Sequence, residues 1–136
     1  MHKLPDYIFM GLSIVHLMIY NSSKFSATSH RVLFINKSVG ELTSHTVLAS
    51  DLQSLSPNSL PHAKLKHLVL SNNQLSAVPS LALRHTRELE HLNLGQNNIS
   101  VLLDGAFATL NKVTRLTLYD NKIYKIHRDA FDGLVK

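Results

Sequence analysis

"LKHLVLSNNQL", residues 65–75, spaces its leucines in a way that fits neither of the common secondary-structure periods. An amphipathic helix needs apolar residues at i, i+3, i+4 and i+7, whereas these leucines follow steps of three, two and five. Only the step from Leu68 to Leu70 fits a strand with one buried face. The stretch therefore predicts a very short strand flanked by turns. Because such a strand can neither bury its leucines nor pair its backbone alone, it needs neighbouring copies of itself.

Copies of this stretch occur at a fixed interval. LEHLNLGQNNI begins at Leu89 and VTRLTLYDNKI begins at Val113, so the three starts, at positions 65, 89 and 113, are evenly spaced. Three columns beyond the eleven-residue stretch repeat at the same interval: Val78, Leu102 and Ile126; Leu83, Phe107 and Phe131; Thr86, Leu110 and Leu134. Self-similarity at this period predicts a solenoid of stacked repeats.

The eleven-residue stretch resembles the leucine-rich repeat family, whose pattern is L-x-x-L-x-L-x-x-N-x-L. All three copies match this pattern, with Val or Ile in place of some leucines. The tails DGAFATL and RDAFDGL resemble the 24-residue subclass of extracellular Toll-like, Slit-like and adhesion receptors. The resemblance implies an α/β-type solenoid: a leucine-rich repeat arc with a short parallel β-sheet on its concave side and an irregular or short-helical convex side.

Stacking predicts which side chains of each repeat are buried, because each repeat supplies one rung of a continuous core. We expect these residues to point inward: Leu68, Leu70 and Leu75; Leu92, Leu94 and Ile99; Leu116, Leu118 and Ile123. One asparagine per repeat lies among them: Asn73, Asn97 and Asn121. Burying an unpaired amide costs roughly 1–3 kcal/mol. We therefore interpret these residues as a structural asparagine ladder that pairs loop backbone groups.

Residues between the inward leucines face the other side of the sheet, which the resemblance implies is the concave, ligand-binding surface. Arg115 and Tyr119, residue types common at interface hot spots, both lie in the third repeat beside Asp120. The candidate contact residues are His67, His91, Asn93, Arg115, Thr117, Tyr119 and Asp120. The implied partner is a protein ligand, and the alternative is an ordinary solvated face.

Catalytic and metal-binding signatures are missing from the sequence. His67 and His91 would lie one strand spacing apart, but the third repeat offers Arg115 and no cysteine or aligned carboxylate to complete a metal site. HTRELEH, residues 85–91, matches neither H-E-x-x-H nor H-x-x-E-H. There is also no G-x-S-x-G elbow, phosphate loop or cysteine nucleophile. We therefore predict a protein that is not an enzyme and has no metal and no cofactor.

The first twenty residues predict a targeting segment. YIFMGLSIVHLMIY, residues 7–20, is an uncharged apolar run interrupted by one histidine. As a helix it would rise about 21 Å, less than the roughly 30 Å of a bilayer core, so it fits a signal peptide better than a membrane span. We predict a signal peptide over residues 1–21, and the alternatives are a signal anchor or a buried strand.

Residues 22–64 predict a flank and a cap. The chain has no cysteine, so it lacks the disulfide-bearing cap common in extracellular members of the family. The sequence predicts a strand over 31–35 and a degenerate repeat beginning near Leu42, with Val47, Leu52, Leu55 and Leu60 pointing inward. The predicted divisions are an N-terminal flank over 22–41, a degenerate capping repeat over 42–64, and three leucine-rich repeats over 65–88, 89–112 and 113–136.

Charge and sequons add two further expectations. The net charge is +5, and the densest basic group is Lys122, Lys125, His127 and Arg128. We interpret this group either as a contact for an acidic glycan or as a solvated loop, and the Lys/Arg blocks typical of nucleic-acid binding are missing. N-x-S/T sequons occur at Asn21, Asn36 and Asn98, of which Asn36 and Asn98 are the candidate glycosylation sites.

These features favour one domain that acts as a protein-binding module of a secreted or membrane-tethered extracellular protein. Membrane contact would come only through a signal or through a segment beyond Lys136. The alternative is an intracellular scaffold or regulatory subunit, since a cysteine-free sequence is ordinary in the reducing cytosol. A further repeat would start at residue 137, and the last repeat has no apolar neighbour beyond it, so we expect a fragment of a longer repeat protein.

Overall fold

Seven short strands and one helical turn make up the described chain. A computed structural model describes residues 16–20, 44–48, 53–55 and 64–134. The strands are β1 (His16–Tyr20), β2 (Ser44–Leu48), β3 (His67–Val69), β4 (His91–Asn93), β5 (Val101–Leu102), β6 (Arg115–Thr117) and β7 (Lys125–Ile126), and the helix is α1 (Ser80–Leu83). Among the described residues, no helix has the length and apolar character needed to cross a membrane.

The strands form two parallel sheets. The larger sheet has the order β1-β2-β3-β4-β6 and the smaller one pairs β5 with β7. His67 pairs with His91, and His91 pairs with Arg115, so each strand lies in register with the same position of the next repeat. This register is the one that the sequence period predicts. The predicted α/β solenoid with a parallel sheet on one side is therefore confirmed.

Two strands precede the regular repeats. β2 pairs with β3 with Ser44 opposite His67, and β1 pairs with β2 with His16 opposite Ser44. β1 falls within the predicted signal peptide, where a buried strand is one of the alternatives. The predicted strand over 31–35 lies outside the described residues, as do Leu52 and Leu60. The predicted divisions of the chain stay predictions.

The core consists of columns of apolar side chains that run along the stack. All of the inward residues predicted for the first two repeats are buried: Leu68, Leu70, Leu75, Leu92, Leu94 and Ile99. Leu55, predicted to point inward from the degenerate repeat, is buried as well. In the third repeat, Leu116, Leu118 and Ile123 pack against this core but are only partly buried. Burial of each such side chain contributes roughly 1.5–3 kcal/mol, which makes these columns the main source of stability.

On the convex side, a short helical turn and aromatic rings cover the core. α1 buries Ala82 and Leu83. In the next two repeats the column of Leu83 holds rings, and Phe107 and Phe131 stack with their centroids 5.8 Å apart and their planes at 8°. Phe107 is fully buried. This ring therefore fills the space between the sheet and the convex turns of the second repeat.

Candidate functional site

Two rows of side chains on the larger sheet form the candidate binding surface. His67, His91 and Arg115 pair in register in the first row, and Val69, Asn93 and Thr117 pair in register in the second. These residues flank the buried leucines of their strands, and alternate residues of a strand point to opposite faces. The two rows therefore share one face of the sheet. We call these two rows, with Tyr119 and Asp120 after β6, the sheet face.

The sheet face brings the two predicted histidines into contact. The ring centroids of His67 and His91 lie 4.6 Å apart with their planes tilted by 55°. The next residue in the row is Arg115, an exposed cation. In the described part of the chain, no group of three or more His, Cys, Asp or Glu side chains could hold a metal ion. The pair therefore offers two adjacent polar rings, tilted toward each other, as a contact for a ligand.

Tyr119 is held in a fixed position on the sheet face. A Cβ atom placed on Gly95 would lie 2.6 Å from Cδ1 and 2.9 Å from Cζ of Tyr119, so the ring rests directly on the glycine. The Tyr119 hydroxyl lies 3.3 Å from Oε1 of Gln96 and donates a hydrogen bond to it. Even so, Tyr119 is 51% exposed. The ring is thus held by its contact with Gly95 and by the hydrogen bond of its hydroxyl group, and about half of the side chain remains available to a partner.

Gly95 and Gln96 position Tyr119, and the sequence prediction did not include them. Neither belongs to the predicted contact residues, although both lie between the inward residues of the second repeat. The available signal was the column of Ser71, Gly95 and Tyr119, in which one repeat has no side chain and the next has the largest one. A glycine beside a bulky residue of the neighbouring repeat indicates space that the larger side chain can occupy.

The backbone turns sharply where each strand ends. Asn72, Gln96 and Asp120 occupy equivalent positions and have φ angles of 59°, 53° and 51°. This left-handed conformation suits Asn and Asp better than other side chains. Just before one of these turns, the backbone N–H of Gly95 donates to Oδ1 of Asn93 over 2.9 Å. These turns place Asp120 at the edge of the sheet face and orient Asn93 on it.

Charges on the side of the sheet where the strands begin are paired between repeats. Lys66 Nζ lies 3.3 Å from Glu90 Oε1, and Lys112 Nζ lies 2.7 Å from Glu88 Oε2. By contrast, no ion pair to Arg115 is present within the described residues. The sheet face therefore carries an uncompensated positive charge at Arg115, and a carboxylate on a partner would complement it.

The asparagine ladder serves the backbone. Asn97 Nδ2 donates to the carbonyl oxygens of Leu70, Leu94 and Gly95 over 3.0, 3.0 and 3.1 Å. Its Oδ1 accepts from the backbone N–H of Leu75 over 3.0 Å. One repeat further on, Asn121 Nδ2 donates to the carbonyls of Leu94 and Leu118, and its Oδ1 accepts from the N–H of Ile99. Asn73 donates to the carbonyls of Leu70 and Ser71 in its own repeat. The bonds of Asn97 and Asn121 tie each turn to the preceding repeat, which is the role expected of a structural ladder.

One of the two candidate glycosylation sites, Asn98, lies among the described residues. Asn98 is exposed in the turn after β4, next to the buried Asn97, and its backbone N–H donates to the carbonyl of Leu75 over 2.9 Å. An exposed acceptor of this kind is accessible to modification. Asn36 lies outside the described residues. Both sites stay predictions.

Comparison with known proteins decides the family. The family model described as "Leucine rich repeat" matches residues 63–123 and 87–136, which together cover more than half of the chain. The chain belongs to the leucine-rich repeat family. The resemblance drawn from the eleven-residue pattern is thereby confirmed, and the asparagine ladder and the sheet face are features of a leucine-rich repeat solenoid.

Relatives of this leucine-rich repeat chain carry different names. Human keratocan is 33% identical over 111 residues, covering 80% of this chain and 28% of keratocan. The U2 small nuclear ribonucleoprotein A' of Candida albicans is 34% identical over 93 residues, covering 67% of this chain and 40% of that protein. The chain therefore spans less than half the length of these relatives.

A solved structure shares the fold of this leucine-rich repeat chain. A chain of the Toll–Spatzle complex from Drosophila superposes with a TM-score of 0.72 and 21% identity, covering 97% of this chain and 20% of that one. Identity at this level reflects the common solenoid fold. The architecture inferred from the repeat period is therefore the one found in this chain of the Toll–Spatzle complex.

Proposed function

We propose that this leucine-rich repeat protein binds a protein ligand on its sheet face and performs no catalysis. The observation that carries the proposal is the exposed Tyr119 ring, held in place by Gly95 and Gln96. Immobilising a side chain at an interface costs about 0.5–1.5 kcal/mol. A ring that is already ordered avoids most of this cost. Preorganised aromatic residues are therefore well suited to be the centre of a binding surface.

The chemistry of the sheet face indicates what kind of protein surface it would bind. Tyr119 offers a flat apolar ring, and Arg115 offers a guanidinium with no ion pair within the described chain. Glu90, which directly precedes β4, is already paired with Lys66. We expect the ligand to present a carboxylate to Arg115 and an apolar or aromatic group to Tyr119.

An extracellular setting is part of the proposal. The protein would be secreted or displayed on the outer face of the plasma membrane, for receptor-type or adhesive recognition. Three observations support this setting: the 24-residue period with its AFxxL tails, the similarity to keratocan, and the exposed Asn98 sequon, which we propose carries a glycan. An apolar stretch at residues 7–20 is available as the secretory signal.

A second candidate is an intracellular scaffold or regulatory subunit. The similarity to the U2 small nuclear ribonucleoprotein A' of Candida albicans favours it, as does the absence of cysteine from the chain. In this case the sheet face would still bind a protein. The two candidates differ in compartment rather than in mechanism.

Substitutions on the sheet face test the binding mechanism. We expect Arg115→Ala and Tyr119→Ala each to weaken binding of the labelled full chain to cultured cells by about thirtyfold, because hot-spot truncations cost about 2 kcal/mol. Gly95→Ala should also weaken binding, since the added methyl group displaces the Tyr119 ring. Binding is measured by flow cytometry on a panel of cell lines with excess soluble heparin present.

Matched controls lie away from the sheet face. Arg87→Ala and Tyr124→Ala remove the same side chains from exposed positions elsewhere and should leave binding to the cells unchanged. Trypsin treatment of the cells should abolish binding, because the proposed ligand is a protein. Equal binding by all of these variants, or binding that survives trypsin, would contradict the proposal.

Attaching residues 1–30 to a reporter protein tests the compartment. In mammalian cells the fusion should appear in the culture medium with the leader removed, as an apolar core of a signal peptide requires. As a control, the same fusion with two apolar residues changed, Ile14→Asp and Leu17→Asp, should stay inside the cell. Retention of the unaltered fusion in the cytosol would favour the intracellular candidate instead.

A further inference from the structure

The lysines that follow β6 in the chain lack the ion pairs, among the described residues, that the lysines before β3 and β6 possess. Lys66 and Lys112 are both paired with glutamates of a neighbouring repeat. Lys122 and Lys125, on the opposite side of the sheet, have no ion pair within the described residues. Their equivalents one repeat earlier are Asn98 and Val101, which carry no charge. Among the described residues, the positive charges of Lys122 and Lys125 therefore have no ion-pair partner.

The members of the basic group predicted from the sequence, Lys122, Lys125, His127 and Arg128, differ in their neighbours. His127 Nδ1 lies 3.6 Å from Asp104 Oδ2, and Arg128 Nε lies 4.0 Å from Asp129 Oδ1. Each of these two members of the group therefore has a carboxylate nearby, and His127 is charged only when its ring is protonated. Lys122 and Lys125 are the members that remain available to an external anion.

Tyr124 lies between these two lysines in the sequence and is exposed, as they are. Tyr124 is 78% exposed, and its backbone N–H donates to the carbonyl of Ser100 over 3.0 Å, so it lies beside Ser100 of the preceding repeat. Lys122 is anchored in the same way by a 2.9 Å bond from its N–H to the carbonyl of Ile99. Unlike Tyr119, the Tyr124 ring has no hydrogen-bond partner among the described residues. Its ring and hydroxyl are therefore both available to a ligand.

We propose that Lys122, Tyr124 and Lys125 form a binding site for an anionic polysaccharide, and we call these three residues the turn-side patch. The ammonium groups pair with sulfate or carboxylate groups along the polysaccharide, and compact, strongly hydrated lysine charges suit such groups. The Tyr124 ring packs against the apolar face of a sugar ring. Ser100 of the preceding repeat supplies a hydroxyl group for sugar hydroxyls. The patch lies on a different surface from the sheet face, so it does not depend on the proposed protein ligand.

A polysaccharide fits the turn-side patch better than single-stranded nucleic acid does. Nucleic-acid grooves stack successive bases on several aromatic side chains, whereas this patch has one exposed ring. Among the uncharged residues at equivalent positions of the two preceding repeats, Ser76 and Ser100 can hydrogen-bond to hydroxyl groups. Sugars offer many hydroxyls in each unit, while a nucleic-acid backbone offers mainly phosphates. The chemistry of the patch therefore favours a charged sugar polymer.

Binding to immobilised heparin tests the turn-side patch. We expect the double variant Lys122→Ala/Lys125→Ala to bind heparin about tenfold more weakly than the unaltered chain. The dependence of its affinity on salt should also become shallower, because fewer counterions are released. Tyr124→Ala should weaken binding about threefold, and Tyr124→Phe, which keeps the ring, should bind nearly normally. Neutral dextran should not bind to any of these proteins.

A charge-matched variant provides the control. Lys66→Ala/Lys112→Ala removes the same net charge from the paired side of the sheet and should keep its affinity for heparin. Tyr119→Ala should keep it too, so failure of the sheet-face proposal and failure of this one are distinguishable. Circular dichroism checks that each variant is folded.

Equal losses of heparin affinity in the two double variants would overturn the proposal, because net charge alone would then explain binding. Tyr124→Ala binding as tightly as the unaltered chain, or polyuridylate binding as tightly as heparin with the same response to the variants, would also overturn it.

Discussion

Asn97→Ala should lower the free energy of unfolding by about 3 kcal/mol, since it removes one accepted hydrogen bond and two amide N–H donors shared among three carbonyls, and each full bond contributes about 1 kcal/mol net. The amide of Asn97 joins two repeats, because it donates to carbonyls of both and accepts from the N–H of Leu75. The site is buried, so water cannot easily replace the lost partners. Urea denaturation followed by circular dichroism measures the change.

Two further variants test whether the loss of stability comes from the Asn97 hydrogen bonds or from any substitution in this turn. Asn98→Ala changes the exposed next residue and should alter the free energy of unfolding by less than about 0.5 kcal/mol. Asn97→Asp keeps an acceptor for Leu75 but turns a carboxylate toward three carbonyls, so it should destabilise at least as much as alanine does. A loss equal for Asn97→Ala and Asn98→Ala, or a stable aspartate variant, would contradict the ladder as a source of stability.

Phe107→Ala should cost about 3–5 kcal/mol, the usual range for truncating a buried aromatic residue. The ring is fully buried and stacks on Phe131, with 5.8 Å between centroids. Its removal leaves a cavity beneath the convex turns and deprives Phe131 of its stacking partner. Thermal and urea unfolding of the variant measure the loss.

Burial should determine how neighbouring apolar residues respond to the same truncation. Leu103→Ala, at a position that is 55% exposed, should cost less than about 0.5 kcal/mol. Phe131 is 43% exposed, and Phe131→Ala should fall between the two. If Leu103→Ala destabilised the chain as much as Phe107→Ala does, the convex aromatic column would not be part of the core.

Repetition explains which parts of the structure were predictable from the sequence. A column such as Leu68, Leu92 and Leu116 recurs once in every repeat because every repeat must bury the same positions against its neighbours. The pairing partners of the ladder asparagines are backbone groups, which are present whatever the neighbouring side chains are. Both features were therefore deducible from one repeat and its period.

Features that depend on differences between repeats were not predictable in the same way. The Tyr119 ring can lie against the preceding repeat because Gly95 has no side chain there. Its hydroxyl forms a hydrogen bond because Gln96 follows that glycine. The pairing of Lys66 with Glu90 likewise depends on opposite charges in adjacent repeats. The repeat period does not reveal such differences between repeats, so these contacts of the site are visible only in the structure.

The repeat period also does not predict β1, the first of the two strands that precede the regular repeats. His16 of β1 lies opposite Ser44 of β2, and this offset along the chain is longer than the one between His67 and His91. A strand added outside the regular spacing has no repeated copy by which it could be recognised. Its apolar sequence alone does not distinguish a sheet strand from a signal-peptide core.

Hydrogen bonds between the strands run along the axis of the stack, as do the ladder bonds from Asn97 and Asn121 to the preceding repeat. A mechanical pull along this axis therefore acts on the contacts between one repeat and the next in series, and the weakest contact opens first. Each repeat that opens releases roughly 80 Å of extended chain. Under tension such a chain lengthens in steps rather than breaking all at once.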